Sequence, residues 1–165
     1  MFQVRLPVSH PPRAQSLLAV ALLVGVGGVG ASCSGVPLGW ESLPVLDRGV
    51  YVATIEPILV TRCANPSCHA RPERPFSLYA PGMRRLDSAR DFLPDEPLLA
   101  AEVEHNYQAA SAFAGMAAGP EDTLLVRKPL GDLAGTYHGG GAVFDGTKDR
   151  AYRAVLDWVR QGWRP

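Results

Sequence analysis

Acidic residues are missing from the first 32 positions of this 165-residue chain, and Ala14 to Ser32 carries no charge of either sign. Net charge is missing as well. The 16 Lys+Arg balance 16 Asp+Glu, which removes the basic surface that holds a nucleic-acid binder to phosphate. Cysteine is scarce, at three in all, and 17 Gly with 15 Pro break up the chain, so a coiled coil and long uninterrupted helices are excluded. There is no G-x-S-x-G nucleophile elbow to support a triad of Ser67, His69 and Asp87. Nor is there a Walker loop, a dinucleotide-binding G-x-G-x-x-G following a strand, or an internal repeat. What is present is 47% apolar residues, too many for a disordered chain and enough for one domain rather than two.

Arg5 and Arg13, the apolar run Leu17–Val26 and the small residues Gly27–Ser32 have the order of a secretory signal. The 19 uncharged residues could just span a bilayer, but six of them are Gly or Ser, which favours the removed signal. Gly30-Ala31-Ser32-Cys33 resembles the bacterial lipobox, with Gly30 where that pattern prefers an aliphatic residue. The resemblance implies loss of residues 1–32, acylation of Cys33 as the new N-terminus, and outer-membrane sorting from Ser34. Ordinary cleavage after Ala31 or Ser32 is the alternative. Losing 1–32 removes two basic residues and leaves 133 residues with a net charge of −2. Residues 33–44 are Gly/Pro/Ser-rich and read as a tether, ahead of a domain over 45–165.

Within that domain, Tyr51, Ile55, Ile58 and Leu59 have helical spacing over 47–62, and Pro57 predicts a kink or two short helices. Residues 63–97 are loop-rich. Asp95-Glu96-Pro97 predicts the start of a second helix burying Leu99, Val103, Tyr107 and Ala110 and ending at Gly115. Glu102 and Glu104 on it read as solvated. Residues 131–146 hold six glycines, a loop that brings backbone close to something. Thr147 predicts the cap of a last helix, with Tyr152, Val155, Leu156 and Val159 inward and Gly162 just past its end. The expected class is mostly α with long Gly/Pro-rich loops.

The chemistry concentrates at Cys63-Ala64-Asn65-Pro66-Ser67-Cys68-His69. Covalent attachment of haem c needs two thiols for the vinyl groups and a histidine directly after them for the iron. The usual spacing is C-x-x-C-H and here it is C-x4-C-H, which requires the spacer to bulge outward. Asn65-Pro66 suits such a bulge. Two alternatives share the same residues: a Cys63–Cys68 disulfide in a haem-free envelope binding or structural domain, or a zinc site from Cys63, Cys68, His69 and His105 or His138.

The surroundings favour haem. Glu56-Pro57-Ile58-Leu59-Val60-Thr61-Arg62-Cys63 resembles the "P-I-L-x-x-x-C" lead-in of the cytochrome c-like domains of planctomycetes and myxobacteria. Thr123–Gly131 resembles their "S-L-L-x-x-K-P-x-G", and His138–Phe144 their "H-x-G-G-x-x-F". Asp149–Tyr152 and Leu156–Gly162 are similar to the closing "D-Y … L-x-x-W-I-x-x-G". The order is kept over residues 50–162. The resemblance implies a small cytochrome c-like helical domain, with haem c on Cys63 and Cys68 and His69 as proximal ligand.

Candidates for the other face of the iron are His138, Met116, His105 and Met83. His138 is preferred because it lies on the Gly-rich loop before the last helix, where class I cytochromes place their distal ligand. Met116, beside Gly115, is the runner-up. His105 reads as solvated and Met83 as a packing residue. Tyr137 is a candidate partner for a haem propionate; Phe144, Tyr152 and Trp158 are core residues that could also line the haem edge. The expected function is single-electron transfer to a partner protein at the envelope, in the periplasm or at the outer membrane, with a lipid anchor and no nucleic acid. An enzymatic role, peroxidase-like, would need His138 and Met116 both off the iron.

Overall fold

The computed structural model of the chain describes residues 44–115 and 117–163. The segment read as a signal, residues 33–43 of the expected tether with Cys33, and Met116 lie outside the described residues. About half of the described residues are helical and none forms a strand, so the domain is mostly α. An isolated antiparallel bridge joins Ala80 and Arg84.

Asp47 opens the first helical run, its carboxylate accepting the Val50 N–H at 2.8 Å. Helix α1 (Arg48–Val50) passes into a π-helical turn (Tyr51–Ile55) and on into α2 (Glu56–Cys63). The sequence predicted a kinked helix or two short ones, and the structure has two α-helical stretches joined through a π-helical turn just before Pro57. Pro57 has no N–H and crowds the carbonyl four residues back. The widened turn, in which the Glu56 N–H reaches back to Tyr51, absorbs that conflict. Tyr51, Ile55, Leu59 and Cys63 follow at intervals of four and are all buried, so Cys63 ends the inner face of α2.

Helix α3 (Ala100–Phe113) begins later than Asp95-Glu96-Pro97 suggested, and it buries a different stripe. Its inward line is Glu102, Asn106 and Ala110, continued by Ala114; Leu99 is exposed, and Val103 and Tyr107 are half-buried. Glu102 is therefore not solvated, as its sequence context implied. Its carboxylate accepts from Arg85 Nε at 3.1 Å and from the Leu86 and Leu99 N–H groups at 2.6 and 2.7 Å. Burial works against its charge, but the Arg85 guanidinium and these two N–H groups outweigh burial and hold the carboxyl below the ordinary glutamate value. Asn106 bonds both the N–H and the carbonyl of Tyr79, at 2.8 and 2.9 Å. These two polar side chains fasten the loop-rich stretch before α3 to the helix.

Helix α4 (Leu124–Arg127) leads into 3₁₀ turns over Lys128–Ala134. Gly131 has φ +56°, and a Cβ there would lie 3.2 Å from the Ala142 N, so the Gly-rich loop does approach backbone closely. Helix α5 (Arg150–Gly162) buries Tyr152, Val155, Leu156 and Val159 as expected. Its cap is Asp149 rather than Thr147, with the Asp149 carboxylate accepting from Ala151 and Tyr152. Asp149→Ala should lower the thermal midpoint, because two N–H groups of the first turn lose their acceptor. Gly162 lies inside the last turn, not past it, and a Cβ there would strike the Leu46 side chain. Trp158 Nε1 donates to the Asp47 carbonyl at 2.8 Å and packs on Tyr51, tying the two ends of the domain together.

Candidate functional site

Helix α2 ends on Cys63 and the chain turns at once. The His69 N–H returns to the Cys63 carbonyl at 3.3 Å, and the Asn65 carbonyl accepts from Cys68 and Ala70 at 2.8 and 3.1 Å. Asn65 Oδ1 accepts from the Ser67 N–H and Oγ–H at 2.9 and 2.7 Å. Such turns are what asparagine supplies in a short loop, and here they shape the four-residue spacer into a bulge. Cys63 and Cys68 are both free thiols. Burial, with Cys68 close by, pushes the Cys63 thiol up to about 12, so it stays protonated rather than acting as a thiolate.

His69 places Nδ1 2.7 Å from the Phe76 carbonyl, with its ring edge-on to Phe76 at 4.9 Å. His138 does the same within its own loop, Nδ1 lying 2.7 Å from the Gly141 carbonyl. A carbonyl only accepts, so in a neutral ring the proton sits on Nδ1 and leaves Nε2 with its lone pair. Burial lowers the His69 pKa; the Phe76 carbonyl opposes this, and His138, Arg74 and Lys128 add to it. His69 is thereby kept as a neutral imidazole, the form that ligates metals. The tertiary fold brings these two histidines together: their ring centres are 6.1 Å apart and their planes 17° from parallel.

Three adjoining cavities, of about 170, 540 and 280 Å³, share His69 and His138 in their walls. The smallest is apolar, running inward between Leu59, Phe76, Phe113, Leu125 and Phe144, with Cys63 on its side. The largest opens past Ser67, Cys68, Arg74 and Lys128. The third is bounded by both cysteines and both histidines. The segment Leu124–Pro129 reaches the apolar cavity through Leu124, Leu125, Lys128 and Pro129. Sequence reasoning named that segment by its pattern but missed Arg74, Phe76 and Phe113, which no local motif marks.

Compared with protein-family models, with curated proteins and with solved structures, the chain finds no match.

Other candidate residues lie elsewhere. Met83 is exposed rather than packed. His105 is not solvated: its Nε2 lies 3.1 Å from the Ser77 carbonyl and its ring packs on Tyr79, away from the crevice. Tyr137 is exposed. Phe144 lines the apolar cavity, whereas Trp158 and Tyr152 serve the core. Among the described residues no three His, Cys, Asp or Glu side chains converge as a metal-binding group, so the zinc set is not assembled. No described helix is long and apolar enough to cross a membrane.

The donor set fits a haem c. Two thiols and a neutral imidazole follow one another on one loop, a second imidazole faces them from another, and the space they border has an aromatic interior. What such an arrangement can do is offer an apolar group a partly enclosed cavity with two thiols and two imidazoles in its walls.

Proposed function

We propose that this chain is an exported c-type haem protein that carries single electrons at the cell envelope. The observation that carries this reading is the separation of His69 and His138. Two imidazoles that ligate one metal through bonds of about 2 Å have their ring centres within about 6.5 Å of each other. The two rings stand at 6.1 Å. Cys63 and Cys68 would hold the group through thioether bonds, and His69 and His138 would supply nitrogen ligands to its iron.

A haem c supplies an iron that exchanges one electron at a potential set by its axial ligands and surroundings. The chain's own residues do the rest. The Phe76 and Gly141 carbonyls fix the orientation of the two rings and raise the basicity of Nε2. Phe76, Phe113 and Phe144 exclude water from the inner edge. Two nitrogen ligands favour a lower potential than a His/Met pair and leave no open position, which directs the site to electron transfer rather than peroxidase-like turnover. The same proposal includes a cytochrome c-like identity for the mostly α domain, export by residues 1–32, anchoring through acylated Cys33 in the periplasm or at the outer membrane, and a redox partner protein there.

The test is a pyridine haemochrome spectrum of the chain exported in a host that matures haem c. The expected result is a c-type band that survives acid–acetone extraction. A colourless protein whose Cys63 and Cys68 resist alkylation after denaturation would overturn the reading in favour of a haem-free, disulfide-closed binding domain.

A further inference from the structure

Arg74 and Lys128 are the cations in the walls of both the apolar cavity and its wider neighbour. Among the described residues neither forms a salt bridge, whereas the basic residues beside them in sequence do. Arg71 pairs with Glu73 at 3.3 Å, and Arg127 with Asp122 at 3.9 Å. Both cavities also have His69 and His138 in their walls, which places the two cations beside the proposed ligands. The crevice is thus amphipathic, with phenylalanines inside and two uncompensated cations at its open side. A cation held beside an apolar cavity without an acidic partner raises the affinity of that cavity for anionic groups, and charge-assisted hydrogen bonds are the stronger kind.

We infer that Arg74 and Lys128 bind the two carboxylates on one edge of the crevice's flat ligand, and so fix which edge of it faces solvent. This rests on the haem reading, in which those carboxylates are the propionates. The arginine offers a planar fork that matches a carboxylate, and the lysine a single mobile ammonium. Both side chains sit at the exposed lip, where the carboxylates also keep part of their hydration. Tyr137, pointed out by the sequence for a propionate, does not line any of the three cavities.

The test uses the holoprotein, so its colour is established before any variant is compared. Two quantities are read in the wild type, Arg74→Gln, Lys128→Gln and the double variant: the midpoint potential across pH, and the propionate bending bands in the resonance Raman spectrum. Losing a positive charge beside the iron favours the ferric state, so the potential should fall in each single variant and further in the double. The carboxyl-linked inflection should move to higher pH and the propionate bands should shift. Arg74→Lys keeps the charge and should hold the potential near wild type. Arg71→Gln and Arg127→Gln, whose charges are already paired, should leave bands and inflection in place. A coloured double variant with unchanged bands and inflection overturns this inference and leaves the haem reading standing. A colourless wild type overturns the haem reading and the inference with it.

Discussion

Glu102→Ala is expected to lower the unfolding free energy by about 3–5 kcal/mol, because it leaves the Arg85 guanidinium buried without its partner. Both side chains are fully enclosed, and Arg85 Nη2 stands 3.0 Å from the carboxylate. A domain of this size has about 5–15 kcal/mol in all, so the variant should sit near the edge of folding. Denaturant titration at neutral pH reads the effect directly. A loss under about 1 kcal/mol would mean that Arg85 finds enough in Glu96, now 3.7 Å away, and in the Pro97 carbonyl. The pH dependence has a fixed sign. The folded-state pKa of Glu102 is lowered, so its stabilisation is complete above the unfolded value of about 4.3 and is lost as pH falls through the lower folded value. Glu102→Gln should therefore flatten the acid limb of a stability–pH profile.

If haem is held as proposed, His138→Ala is expected to convert the ferric spectrum from six-coordinate to five-coordinate, with added imidazole restoring the original. His138→Met should raise the midpoint potential, because a thioether ligand disfavours the ferric state relative to a second imidazole. An unchanged spectrum in His138→Ala would remove His138 from the iron. The ring's placement makes the test sharp: its Nδ1 is engaged by Gly141, so only Nε2 is available to a ligand.

The elements that could be read from the chain were those with local causes. The inward face of α5 follows from periodicity alone, and Tyr152, Val155, Leu156 and Val159 are buried where that spacing puts them. The stripe on α3 did not follow, because periodicity counts apolar residues and the buried line there is led by Glu102 and Asn106. Their partners, Arg85 and the Tyr79 backbone, lie 17 and 27 residues away in loops with no repeating pattern. The last helix misled in a related way. Gly162 looks like a helix terminator, yet it is glycine because Leu46 packs against it.

The sequence by itself determined the Cys63–His69 loop, since turn-forming Asn65, the end of α2 and the thiol spacing act within a few residues. It also determined that the domain is mostly α, through composition and periodicity. Only the tertiary structure decided that His138 stands 6.1 Å from His69 and that Arg74 and Lys128 share their cavities. It alone decided that the interior of α3 is polar. The physical reason is the same in each case: each contact has an irregular loop on at least one side, and such a loop carries no periodicity from which a partner across the chain can be counted.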